Sequence, residues 1–337
     1  VKAYVLSRHG SPDVLRATER PDPVPGPGQV AVAVEAVGIN YAEVLSRKGL
    51  YGWAPKLPYI LGMEAAGRIE SVGAGVERRP GEAVVVGMKH GAYAERLVVD
   101  ASRAFPAVEG FSVEENAAFA VNYSTAWVSL VKMARMQAGD RILISPAGGG
   151  VGTAAVQIAH HFGAYVVGAA GSDAKLERIR ELGADETVNY RRPGWRTALE
   201  DAAGPDGIDI AFDMVGAEVF AAAKSVLAPF GHMVVAGYAA LDYSLWKPLS
   251  WWRAWSGKPR MSLDEMLKNA RGMSSVHLGY VLPDVRKMRA NWDEMTAFCT
   301  EHGIRSQVGH VFGFDEVARA HRLIESRESY GKVVLRV

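Results

Sequence analysis

The chain is 337 residues long, with 49% hydrophobic and 22% charged residues, a globular composition with enough length for two domains. Its formal net charge of +1 argues against a nucleic-acid surface or an acidic tail. One cysteine, Cys299, excludes an intrachain disulfide and any site needing two thiolates, and no run of about 18 apolar residues suggests a membrane span. The opening VKAYVLSRHG lacks the basic-then-apolar layout of a signal peptide, so a cytoplasmic protein is expected.

The first third reads as strands. KAYVLSR, VLRATE, VAVAVEAVGIN, AAGRIESVG, EAVVVG and YAERLVVD are short β-prone runs broken by Gly and Pro. PDPVPGPG at 21–28 is a loop closely flanked by strand-like sequence rather than a domain linker. From about Tyr123 to Tyr280 strands alternate with helices: ILIS, a helix after it, YVVGAA, a helix across Lys175 to Leu182, ETVNY, IDIAFDMVG, a helix across Val219 to Leu227, HMVVAGY and SSVHLGYV. Such alternation predicts a doubly wound parallel sheet. The last stretch returns to a helix and strands, with VGHVFGF and KVVLRV. The expected fold is therefore α/β: a Rossmann domain over 123–281, inserted in a strand-rich domain made of 1–122 and 282–337.

Residues 145–155, SPAGGGVGTAA, sit between the apolar run Arg141–Ser145 and a segment in which Val151, Ala154, Ala155, Ile158, Ala159 and Phe162 recur at helical spacing. A glycine turn alone is weak evidence, but a strand before it and a helix after it place free amides and the positive end of a helix dipole together. Read as AxGxxG, the run puts Ala147 at the turn, Gly149 where backbone approaches a pyrophosphate, and Gly152 where helix packs on strand. Gly150 and Val151 complete the cradle.

Dinucleotide sites for NAD place an acidic residue about 20 positions later, at the end of the second strand. Here that strand ends at Ala170, and Ser172 and Lys175 follow. A hydroxyl and an ammonium suit a 2′-phosphate, so NADPH is expected in preference to NADH. Asp173 opposes this reading unless it caps the helix that starts there.

Several blocks, in order, carry a wider resemblance: GINYAEVLSRKGLY at 38–51, LGMEAAGRIESVGAGV at 61–76, ILISPAGGGVGTAAVQIA at 142–159, ELGADETVNY at 181–190 and YGKVVL at 330–335. The chain resembles the zinc-independent quinone oxidoreductases of the medium-chain dehydrogenase/reductase superfamily. VNYSTAW at 121–127, SLWKPLSWWRAW at 244–255 and VHLGY at 276–280 place it nearest the vesicle amine transport protein homologues. The resemblance implies a GroES-like catalytic domain around the Rossmann domain. It also implies that Lys175 and Tyr190 bracket the 2′-phosphate with Ser172 beside them, and that Thr125 and backbone near Val215, Gly237 and Leu278 meet the nicotinamide half. A homodimer joined through edge strands is expected, with VHLGYV as the candidate edge. The family usually reads AAAGGVG where this chain has PAGGGVG, so Gly148 should loosen the loop.

Zinc-dependent relatives keep a thiolate in the first block and an imidazole in the second, where this chain has Asn40 and Met63. Neither replaces the lost ligand well, so no catalytic zinc is expected. Glu64 then reads as a structural carboxylate with a polar partner. Quinones and conjugated enones accept hydride with less electrophilic help than simple ketones, because the negative charge delocalises. Asn40 is the candidate donor to the acceptor's oxygen. Tyr51, by resemblance, is either a proton donor or an aromatic lid; Tyr41 and Asn122 are weaker candidates near the substrate. Three tryptophans at 251, 252 and 255, with basic residues nearby, permit a competing reading: an NADPH-binding protein associated with a membrane or a partner, with little reductase activity.

Overall fold

The computed structural model describes residues 1–237 and 258–337. The Trp-rich segment 244–255 therefore lies outside the described residues. Contacts divide the chain into two compact units: Val1–Ser124 with Leu278–Val337, and Thr125–His277. Among the described residues no helix is long and apolar enough to cross a membrane.

Among the described residues the second unit carries six parallel strands. In spatial order they are Glu186–Asn189, Tyr165–Ala170, Arg141–Ser145, Ile208–Asp213, Leu227–Val235 and Gly272–Ser275. Counted along the unit this is the order 3-2-1-4-5-6, with the reversal between Arg141–Ser145 and Ile208–Asp213. In such sheets ligands bind at the carboxyl ends of the strands beside that switch point. The strands read as near-continuous apolar runs because helices cover both faces. Ile142, Ile144, Val166, Val167, Phe212 and Val234 are all fully buried.

The first unit is built on antiparallel pairing. Strand Gln29–Ile39 is its spine, pairing with Glu64–Val72, Arg96–Asp100 and Lys332–Arg336. The C-terminal strand thus closes the same sheet as the N-terminal third, burying Val32, Val37, Ala65, Val86 and Leu335 in one core. The doubly wound parallel sheet of one unit and the strand-rich fold of the other agree with the expected fold class.

Several local elements differ from the sequence expectation. VHLGYV is not a strand: the edge strand is Gly272–Ser275, and Leu278–Val281 is a helical turn. Val276 and Leu278 alternate like strand residues, but pairing with Leu227–Val235 has already ended at Ser275, so that segment presents no strand edge through which a dimer could join. VLRATE begins with a short helical turn at Pro12–Val14 before strand Ala17–Glu19. Helices Val113–Ala117, Ala120–Trp127 and Trp195–Ala203, and a wide π-helical turn at Val128–Met133, were not legible as periodic patterns. Cys299 lies in helix Val285–Glu301, fully buried, with its thiol pushed up to about 12 by burial. It is an inert core thiol.

Candidate functional site

In the second unit, helix Gly150–His161 starts directly after the strand Arg141–Ser145 and its turn, with Gly149 as the N-cap. No side chain caps this end, so the first-turn amides of Gly150, Val151 and Gly152 face outward as donors. A Cβ on Gly149 would meet nothing within 4 Å, which leaves open space for an anion. A Cβ on Gly152 would come 2.1 Å from the Pro146 carbonyl oxygen and 2.7 Å from Ala147. Glycine is therefore required there by close helix packing. These residues fit a pyrophosphate.

Lys175 lies beside this loop. A Cβ on Gly148 would come 3.1 Å from its Cδ and 3.2 Å from its Cβ. The missing methyl at Gly148 thus gives room to the lysine stem rather than simply loosening the loop. Ser172 is the N-cap of helix Asp173–Glu181, half-buried, and its hydroxyl makes no cap bond. Asp173 does not cap the helix either. Its carboxylate accepts from Asn189 Nδ2 at 2.8 Å and from Arg192 Nη2 at 2.6 Å, and these contacts hold its pKa below the usual carboxylate range. The charge that opposed the 2′-phosphate reading is thereby matched by Arg192, a residue the sequence reading missed. Arg191 crosses Gly171, where an added Cβ would lie 2.9 Å from Nε. Tyr190 is half-buried, and its amide donates to the Ala170 carbonyl at 3.1 Å.

Across the switch point, Asp213 is fully buried at the end of its strand. It accepts from Ser145 Oγ at 2.8 Å, from the Val215 amide at 3.1 Å and from the Gly216 amide at 2.8 Å. Burial nevertheless pushes its carboxyl up to about 6. The Val215 amide is thus committed to Asp213. Gly237 and Thr125 are half-buried in this unit. Leu278 falls in the other unit, half-buried at the start of the helical turn.

In the first unit, Asn40 is the N-cap of helix Tyr41–Lys48. The Asn40 amide nitrogen Nδ2 donates to Glu64 Oε1 at 2.9 Å, and Oδ1 accepts from Lys332 Nζ at 2.7 Å. Glu64, fully buried, also accepts from the Val121 amide at 2.8 Å and forms an ion pair with Lys332. Lys332 is the polar partner that the sequence reading expected for Glu64 but did not name. Asn122 is committed within this unit, donating to the Ala118 carbonyl at 3.0 Å and accepting from Lys332 at 3.4 Å. Its side chain therefore supports the Lys332 ammonium. Tyr41, the first helical residue, is half-buried.

Beneath this group lies Glu43, fully buried, which accepts from the Asn40 amide at 2.5 Å, the Met63 amide at 2.8 Å and Tyr93 Oη at 3.2 Å. Desolvation pushes its carboxyl up to about 7 against those donors. Tyr93 also bonds His321 Nε2 at 3.0 Å, and burial lowers that imidazole to about 3, so it stays neutral. Tyr51 packs edge-on to Trp53 at 6.4 Å, and Trp53 lies 6.2 Å from Tyr280. Burial first, then the nearby Glu43, raise the Tyr51 phenol's pKa.

Among the described residues no group of three or more His, Cys, Asp or Glu side chains converges as a metal site. At the positions that would matter, Asn40 is bonded on both amide ends, and Glu64 already carries an ammonium and two amide donors. That donor set does not fit a zinc ion.

Residues 26–109 match the family described as the alcohol dehydrogenase GroES-like domain, and residues 150–258 the one described as zinc-binding dehydrogenase. The synaptic vesicle membrane protein VAT-1 homolog of Rattus norvegicus is 31% identical over 99% of this chain and 84% of its own length. Quinone oxidoreductase-like protein 2 of Mus musculus is 31% identical over 94% of this chain and 86% of its own. Among solved structures, the quinone oxidoreductase from Thermus thermophilus, described with its NADPH complex, is 30% identical. It superposes with a TM-score of 0.81 over all of both chains.

Proposed function

Because the chain belongs to the medium-chain dehydrogenase/reductase superfamily, among its quinone oxidoreductase-like and VAT-1-like members, we propose that it is a zinc-independent, NADPH-dependent reductase of quinones or other α,β-unsaturated carbonyls. The observation that supports this most is the Asn40 amide held between an ammonium and a carboxylate, at the place where zinc relatives keep a metal ligand. When bound, the nicotinamide cofactor supplies a hydride. The chain's own residues bind, orient and stabilise.

The first-turn amides of Gly150, Val151 and Gly152 would hold the pyrophosphate at the helix N-terminus. Ser172, Lys175 and Tyr190 would receive the 2′-phosphate, with Asp173 neutralised by Arg192. Asp213 fixes the turn carrying Val215, whose carbonyl would face the carboxamide, with Thr125 and Gly237 of the same unit completing that half. Asn40 would donate an amide hydrogen to the acceptor oxygen as negative charge grows on it. The Tyr51 phenol, its proton tightly held at neutral pH, would serve as hydrogen-bond donor or lid over that oxygen.

NADPH and NADH oxidation with o-quinones, p-quinones and small enones, with and without chelator, tests this reading. Chelator-insensitive turnover preferring NADPH is expected. NADPH binding without turnover on any acceptor would favour instead an NADPH-binding membrane- or partner-associated protein, as the vesicle-membrane relatives suggest.

A further inference from the structure

The side chains around Asn40 do more than fill a core. An ammonium offers only donors and a carboxylate only acceptors, whereas a carboxamide presents one of each and can be rotated by half a turn. Asn40 sits between the two, with Oδ1 toward Lys332 at 2.7 Å and Nδ2 toward Glu64 at 2.9 Å. Rotating the amide would set its oxygen against the carboxylate and its NH2 against the ammonium, turning two attractions into two repulsions. The ion pair therefore selects one amide orientation. Among the described residues nothing accepts the second Nδ2 hydrogen, and Asn40 is half-buried rather than enclosed.

The chain makes room for this arrangement at a cost to its core. Lys332 is 2% exposed and Glu64 fully buried. A Cβ on Gly38 would lie 2.3 Å from the Ala117 carbonyl oxygen, and 2.8 Å from both Glu64 Oε1 and Lys332 Cε. Glycine at 38 thus admits the pair, and asparagine at 40 is read by it. Asparagine at a helix start ordinarily turns its side chain onto the first-turn amides; here both ends of the amide are engaged by the pair. Buried ion pairs contribute little net stability compared with well-packed apolar residues, so stability does not account for it.

We propose that Lys332 and Glu64 are positioning residues that lock the Asn40 amide so that one Nδ2 hydrogen is kept for the acceptor oxygen. This rests on the reading of Asn40 as the oxyanion donor. Asn122, accepting from Lys332 at 3.4 Å, steadies the ammonium from the other side.

A mutant cycle tests it on the full chain, with NADPH and a p-quinone as the probes. The variants are Asn40→Ala, the double replacement Lys332→Met with Glu64→Leu, and the triple; NADPH affinity is read separately by cofactor fluorescence. The double replacement strands no charge. Asn40→Ala is expected to lower kcat about 100-fold, the double replacement about tenfold with NADPH affinity unchanged, and the triple no further than Asn40→Ala alone, as for groups acting through one another. If the double replacement keeps wild-type kcat while Asn40→Ala is slow, the positioning role is overturned and the Asn40 reading survives. Losses that multiply in the triple also overturn it. If Asn40→Ala keeps wild-type kcat, the Asn40 reading itself fails, and the positioning role with it. Should the double replacement not fold, Glu64→Gln, nearly isosteric, takes its place: a lowered kcat at unchanged NADPH affinity supports the proposal, and wild-type kcat overturns it.

Discussion

In the unit formed by Val1–Ser124 and Leu278–Val337, Glu43, Arg47, Glu64, His321 and Lys332 are each 2% exposed or less. In the unit Thr125–His277, Asp213 is the buried charged residue among those described. Among the described residues the chain thus buries a cluster of ionisable side chains beside the apolar core of one unit, and in the other a carboxyl at the end of an apolar strand. On the proposed function, the difference follows from what each unit would recognise. A pyrophosphate is met by backbone amides, which need only glycine and a helix start, whereas charge developing on an acceptor's oxygen needs an oriented side-chain donor, and orientation in a core takes further polar groups.

The largest effect expected from breaking that contrast is in the first unit. Glu64→Leu leaves the Lys332 ammonium buried without its carboxylate, and should lower stability by about 3–5 kcal/mol in denaturant unfolding. A loss under about 1 kcal/mol would mean that the ammonium finds water or another partner. The second unit should respond instead to pH through Asp213, whose folded pKa of about 6 exceeds its usual 3.8. A carboxyl raised by folding favours the folded state at low pH, so this contribution is lost as pH rises from about 4 to about 6. This contribution amounts to up to ~3 kcal/mol. Hydrogen-exchange protection in strands of the second unit, compared with Asp213→Asn, should show that slope in wild type only. In the first unit two groups oppose each other. Glu43, raised to about 7, loses stability as pH rises through 4.5 to 7, and His321, lowered to about 3, loses it as pH falls below 6.5. Their overlap should flatten the first unit's profile.

Smaller and functional is Asn40→Ala, expected to cut kcat/KM by roughly 10²-fold, about 2.7 kcal/mol, while leaving NADPH affinity untouched. A matching fall in NADPH affinity would show that the contrast between the units is not a division of labour. Smallest is Lys175→Ala, which should weaken NADPH about tenfold, near 1.4 kcal/mol, and leave NADH unchanged. Equal losses on both cofactors would mean that Lys175 does not read a 2′-phosphate.

The glycine loop was legible because its parts are neighbours. Strand, turn and helix lie within residues 141–161, and spacing alone places Gly149 and Gly152. The parallel sheet was legible for the same reason: each strand announces itself by an apolar run before its helix. VHLGYV misled because the alternation that marks a strand does not say where a neighbour stops pairing. The helices Val113–Ala117 and Ala120–Trp127 are short and buried on several sides, so they carry little helical period.

The sequence by itself determined the fold class, the glycine turn between strand and helix, and the absence of a thiolate and an imidazole at Asn40 and Met63. These are properties of residue type and short-range spacing. Only the tertiary structure decided which groups face Asn40. Lys332 stands 292 positions away along the chain and meets Asn40 only because strand Lys332–Arg336 pairs with Gln29–Ile39. Arg192 likewise reaches Asp173 across 19 residues, through the pairing of two adjacent strands. Charge partners are chosen by which strands lie side by side, and side-by-side placement is set by burial of the whole sheet rather than by any local pattern.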